Sequence, residues 1–226
     1  MKNIVYYFAI ISVVMLMACN SKGGAENKEK ETKVVKTETY SLNIEKSTVS
    51  WVRSVDYKHL KQKIKLFGAY VDTEMENVQL ETNGTLKINS GILVMTDDVP
   101  TSAEIEIDLT LTRFYSDVEE SFFESETYDP AKLIINKFDA DTVTKGQYSV
   151  TANLTMNGKT AEITFPATLT KKDTDMIFSG TYLMQVSDWP LLKQPKPENI
   201  NHDEISFGFD FVFSDVKVEN DTVVVE

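Results

Sequence analysis

Ile205-Ser206-Phe207-Gly208-Phe209-Asp210-Phe211-Val212-Phe213 carries an isoleucine or a phenylalanine at every second position, while most residues between them are small or polar. A period of two is that of a β-strand with one face in an apolar interior. Working outward, Tyr148-Ser-Val150-Thr-Ala152-Asn-Leu154-Thr-Met156 repeats the pattern and stops at Asn157-Gly158, after which Ile163, Phe165, Ala167 and Leu169 alternate again. Asn-Gly between two alternating runs is a strong hairpin signal. Ile105, Ile107, Leu109 and Leu111 alternate with Glu104, Glu106, Asp108 and Thr110. Asn89-Ser90-Gly91, flanked by Leu86 with Ile88 and Ile92 with Val94, reads as a further hairpin turn. The count is about eight short antiparallel strands, so the fold class is all-β, an antiparallel barrel or a sandwich.

Two segments depart from that period. DVEESFFESETY, Asp117 to Tyr128, ends at Asp129-Pro130 and reads as a short helical or irregular crossover. DYKHLKQKIKLF, Asp56 to Phe67, spaces Leu60, Ile64 and Phe67 as a helix would, with lysines between, and predicts a short amphipathic helix.

The chain opens differently. After Lys2 an uncharged, apolar run extends from Ile4 to Met17, shorter than the ~20 residues a membrane-spanning helix needs and of the length of a signal peptide's apolar region. It ends in Leu16-Met17-Ala18-Cys19, and Cys19 is the only cysteine in the chain. This predicts a lipoprotein signal peptide at 1–18, lipidation of Cys19, and anchoring by the acyl chains. Residues 19–39 are polar and poor in apolar side chains, and read as a flexible tether. Residues 40–226 then form one domain.

A single cysteine used as an anchor leaves the domain no thiol for a disulfide, a metal or nucleophilic attack. The formal charge of −12 repels phosphate-rich partners, which excludes nucleic acid as an expected ligand. His59 and His202 have no neighbouring ligand at metal spacing, and the carboxylates Asp117, Glu119, Glu120, Glu124 and Glu126 lack the glycine and spacing of a calcium loop. His202-Asp203-Glu204 lacks a nucleophile, and consecutive side chains of an extended chain do not face one point. No catalytic residue, metal or cofactor is expected.

Four stretches between Tyr40 and Phe213 have a combined order and spacing more specific than any one alone. They are Thr48-Val-Ser-Trp51; Asn83-Gly-Thr-Leu-Lys-Ile-Asn-Ser-Gly91; Ile105-Glu-Ile-Asp108 with Ser121-Phe-Phe-Glu124, Tyr128-Asp-Pro130 and Phe138; and Leu154-Thr-Met-Asn-Gly-Lys-Thr160 with Phe165-Pro166. Through them the chain resembles the YceI-like family. Thr82 stands where the family has a histidine, and Val118-Glu119 where it often has His-Leu. The stretch from about Arg53 to Val78 is an insertion relative to the family pattern. The resemblance implies an eight-stranded, lipocalin-like barrel with a short helical crossover and, here, a small helical insertion. It also implies an apolar channel that holds a long polyisoprenoid or a similar amphiphilic lipid. It transfers no catalytic residues.

On this reading the candidate ligand-lining residues are Trp51, Phe122, Phe123, Phe138, Phe165, Trp189, Phe207, Phe209 and Phe211, for each of which plain core packing is the simpler explanation. Phe122-Phe123 is the candidate gate at the barrel mouth. Lys58, Lys61, Lys63 and Lys65 form a basic patch suited to a prenyl-diphosphate or an anionic membrane surface, or simply to solvent. The expected function is a binding protein in the bacterial cell envelope, at the outer membrane or facing the periplasm. Its partners are an isoprenoid-like or other long-chain lipid and the membrane through the N-terminal anchor, with a homodimer left open. The alternative is a structural or protein-docking lipoprotein whose barrel is packed solid.

Overall fold

Alternating apolar faces close on one another in the computed structural model, which describes residues 31–109, 129–156, 158–189 and 200–225. The strands are β1 (Glu31–Leu42), β2 (Thr48–Leu66), β3 (Ala69–Thr96), β4 (Val99–Asp108) and β5 (Ala131–Ala140), followed by β6 (Gln147–Met156), β7 (Lys159–Lys172), β8 (Asp175–Gln185) and β9 (Ile200–Val225). All pair antiparallel in a single sheet, and the order β3-β2-β9-β8-β7-β6-β5-β4 returns to β3, so eight strands form a ring. The all-β reading and the eight-stranded ring therefore stand.

The ninth strand is β1. It lies between β3 and β9, the slot that β2 occupies further along: Ser41 pairs with Ile92 and Ser214, and Thr48 with Asp210. A short 3-10 turn, Ile44–Lys46, joins the two strands, and Asn43 Oδ1 accepts the Lys46 N–H at 3.2 Å. β1 begins at Glu31, within the segment 19–39 expected to be a tether. Its own sequence is too polar to fold alone; the ladders of β3 and β9 supply the pairing that its side chains do not.

The ring is uneven. The β7–β8 ladder runs only from Ala167↔Gly180 to Lys172↔Asp175, so over 159–166 β7 pairs with β6 alone. Pro166, which has no N–H to donate, stands where that ladder stops. The β4–β5 ladder is shorter still, Ala103↔Ile135 to Ile107↔Ala131, and closes only the other half of the wall. One end of the ring carries the turns at 97–98, 141–146 and 173–174. Leu109, Met156, Trp189 and Ile200 lie at the opposite end.

Two sequence expectations are overturned. The insertion at 53–78 is not helical. β2 and β3 pair rung by rung from Val49↔Leu86 to Leu66↔Ala69, making a long hairpin that turns at Phe67-Gly68. Both turn residues have positive φ, 51° and 88°, as a two-residue hairpin turn requires. The separation of four between Leu60 and Ile64 fits a helix, but it is also two strand periods, and the strict alternation of Lys61, Lys63 and Lys65 is the strand signal. Asn89-Ser90-Gly91 is likewise no hairpin. β3 runs through it, with an irregularity in pairing to β4 between Ile88 and Ser90, and the actual turn is Asp97-Asp98. The crossover expected at 117–128 lies outside the described residues.

Candidate functional site

The quoted strand does line the interior. Ile205, Phe207, Phe209, Phe211 and Phe213 of β9 are all buried on one face. Their rings form a column: Phe207–Phe209 centroids are 6.4 Å apart and nearly parallel, Phe209–Phe211 5.8 Å, and Phe211–Phe213 6.2 Å. From the adjoining wall, Phe165 of β7 approaches Phe209 to 5.4 Å, and Phe178 of β8, directly opposite Phe211 in the β8–β9 register, stacks on it at 5.8 Å. Offset and edge contacts at these distances are favourable beyond the area they bury.

Two glycines make room for this lining. A Cβ on Gly84 would meet the Trp51 ring at 2.6 Å, and one on Gly180 would meet the Phe165 ring at 3.0 Å. Trp51 pairs with Gly84 on one side and Phe207 on the other, so two of the motif stretches, Thr48–Trp51 and Asn83–Gly91, are locked together.

Of the expected residues, the structure brings Trp51, Phe165, Phe207, Phe209 and Phe211 into this interior. Phe138 packs against the edge of this core at the turn end, half-buried and edge-on to Tyr148 at 5.8 Å. Trp189 is buried where the β7–β8 ladder is missing. Lys159 lies 5.4 Å over its ring and donates to the Asp188 carbonyl. Phe122, Phe123 and Cys19 lie outside the described residues, as do the carboxylates of 117–126. Phe178 and Tyr182 were missed, although Met176, Phe178, Gly180 and Tyr182 alternate as the other strands do.

At the hairpin end the interior turns polar. Arg53 follows Trp51 on the inward face of β2 and is buried. Its guanidinium is held by Asp203 in a two-pronged pair, Nε to Oδ1 and Nη2 to Oδ2, both 2.9 Å. Two steps further along the same face the buried Tyr57 hydroxyl has no hydrogen-bond partner among the described residues. His202 and Glu204 point the other way and pair with each other at 2.8 Å, so the triplet 202–204 does not converge. The missed signal was a charge on an inward position: in Trp51-x-Arg53-x-Val55-x-Tyr57 the arginine needs a buried counter-ion.

Polar groups also close the turn end. Glu38 is buried, receives Lys36 at 2.6 Å and accepts from the Tyr40 hydroxyl at 3.4 Å. The Lys36 ammonium holds the Glu38 carboxyl below the usual range, and burial pushes the Tyr40 hydroxyl up. Between the two ends lies an apolar cavity lined among others by Val49, Leu86, Leu109, Met156, Phe207 and Phe209, with a volume of about 20 Å³. That is room for roughly one water. Among the described residues no three His, Cys, Asp or Glu side chains gather as a metal site, and no helix is long and apolar enough to cross a membrane.

The basic patch is only partly offset by its partner strand: in register Lys61 stands opposite Glu74, Lys63 opposite Asp72 and His59 opposite Glu76, while Lys65 stands opposite Tyr70.

The family model described as a YceI-like domain matches residues 40–221. No curated protein matches the chain. Among solved structures, the crystal structure of Burkholderia cenocepacia BcnA is similar at a TM-score of 0.52 and 18% identity, covering 76% of this chain and 98% of that one. The secretin InvG of the Salmonella SPI-1 type III secretion injectisome gives a TM-score of 0.17 at 10% identity, over 86% of this chain and 62% of that one, and carries no structural argument.

Proposed function

Because the chain belongs to the YceI-like domain family, whose members bind polyisoprenoids, we infer that it is a non-enzymatic binding protein holding an isoprenoid-like or other long amphiphilic lipid inside its ring of strands. The observation that carries this is the polarity of the interior: a phenylalanine column along its length, and Arg53, Asp203 and the Tyr57 hydroxyl at one end. A hydrocarbon tail along the column is favoured by about 25 cal/mol per Å² of apolar surface removed from water. A phosphate or hydroxyl headgroup then meets the guanidinium and gives the orphaned hydroxyl a partner. Lipidation of Cys19 places this carrier on a membrane of the cell envelope, outer or periplasm-facing.

A second reading rests on the cavity. At about 20 Å³ it takes no lipid without side-chain movement, which suits a packed barrel that serves as a docking lipoprotein.

The test is mass spectrometry of organic extracts from residues 20–226, exported behind a cleavable non-lipid signal and purified without detergent. One long-chain lipid per protein supports the carrier. A stable protein with nothing to extract leaves the docking reading in its place.

A further inference from the structure

Beyond Tyr57 on β2 and before Val78 on β3, neither strand has another partner among the described residues, so the hairpin extends past the ring as a two-stranded ribbon. Its two faces differ. One carries His59 and Lys61 opposite Glu76 and Glu74, with Tyr70 further out; the other carries the pairs Leu60↔Met75 and Leu66↔Ala69, with Thr73 and Val71 between them on β3. The tip, Leu66-Phe67-Gly68-Ala69-Tyr70-Val71, has no charge.

Phe67 is the anomaly. It is fully exposed, at 107%, with Tyr70 at 71% and Leu66 at 46%. Its φ of 51° lies in the left-handed region, where asparagine, aspartate or glycine is at ease and a phenylalanine is strained. Neither packing nor turn geometry accounts for an aromatic ring there; both oppose it. A contact outside the chain resolves this.

We propose that the tip of this ribbon inserts into the interfacial layer of a lipid bilayer, with Phe67 and Leu66 as the buried residues and Tyr70 at headgroup level. Three observations favour a bilayer over a protein partner or a second copy. Two aromatics at about 150–250 Å² each, with two aliphatics, fall short of the ~800 Å² per side that a specific protein interface buries, whereas shallow insertion needs no complementary surface. Residues 58–78 carry four lysines against three carboxylates in a chain of net charge −12, so the ribbon is a part of the molecule that an anionic bilayer does not repel. The ribbon also leaves the ring at the end where Arg53 and Asp203 sit, where a headgroup would be exchanged. The insertion does not depend on the ring holding a lipid.

The test uses the full chain reconstituted on vesicles of phosphatidylcholine and phosphatidylglycerol with brominated acyl chains. Phe67→Trp adds an indole whose emission, corrected for Trp51 and Trp189 with the unaltered chain, is expected to shift to the blue and be quenched. Val143→Trp, on an exposed turn at the opposite end of the ring, is expected to remain unquenched. An F67W indole that keeps a water-like spectrum overturns the proposal, as does equal quenching of both variants. So does a self-association seen by sedimentation that Phe67→Asn abolishes, which makes a second copy the occupant. Because the readout is local to the tip, an empty ring leaves it unchanged.

Discussion

Trp51 lies flat against Gly84 in the neighbouring strand, so close that a methyl group on Gly84 would stand 2.6 Å from the indole carbon Cζ2. No real side chain tolerates that separation, and the indole, walled by Phe207 on its other side, has little room to retreat. Gly84→Ala is expected to destabilise the fold by about 1–3 kcal/mol through overpacking. The urea midpoint should fall and the near-ultraviolet dichroism of the tryptophans should change. An unaltered midpoint would mean the ring moves aside freely.

The Arg53–Asp203 pair is buried at both ends, with side-chain exposures of 4% and 10%. Asp203→Ala removes the carboxylate that neutralises a buried guanidinium and should cost about 3–5 kcal/mol. The double variant Arg53→Met with Asp203→Leu should recover most of that loss. If the pair serves the headgroup, the double variant should fold yet bind phosphate-bearing lipids more weakly, a split that lipid extraction would reveal.

Stability should also depend on pH through Glu38. Lys36 first, then the charge of Lys171 and the Tyr40 hydroxyl, hold this carboxyl below its ordinary value of 4.5 against the opposing effect of burial. A depressed carboxylate stabilises the native state fully above the unfolded value and loses that contribution as pH falls through the native one. The destabilisation caused by Glu38→Gln should therefore be constant near neutrality and shrink below pH 4.5. A difference in melting temperature that grows in acid would contradict this assignment.

Phe67→Asn should make the protein more stable. Relieving a left-handed phenylalanine at a two-residue hairpin turn is worth roughly 1 kcal/mol. A change from an exposed ring to an amide that improves the fold would be direct evidence that the ring was never there for stability; a lower urea midpoint would show that it packs after all.

The strands were legible because their side chains alternate against a single interior: Phe207 to Phe213, Val150 to Met156 and Ile105 to Leu109 all lie where period two places them. The hairpin at 48–96 was not, because Leu60 and Ile64 satisfy both periods and because a ribbon outside the ring has no deep core to enforce a continuous apolar face. β1 was hidden for a related reason. Glu38 is buried through an ion pair and a hydroxyl, not through hydrophobicity, so Lys33 to Thr39 read as solvent-facing linker. At the site, the aromatic column could be read from one strand, but Arg53 and Asp203 are 150 residues apart and only the β2–β9 register brings them together.

That register has a further consequence for how the chain reaches its native state. Both β1 and β2, the first strands made, pair with β9, the last: Thr32 with Val224, and Trp51 with Phe207. Until β9 is synthesised the ring has a gap, β8 presents an unpaired edge, and the inward face of every other strand is exposed. Contacts this distant along the chain place folding among the slow topologies, milliseconds to seconds or longer. During that interval the incomplete sheet is the species most exposed to edge-to-edge aggregation. Closing the wall is a late event, and it is the phenylalanine column of β9 that closes it.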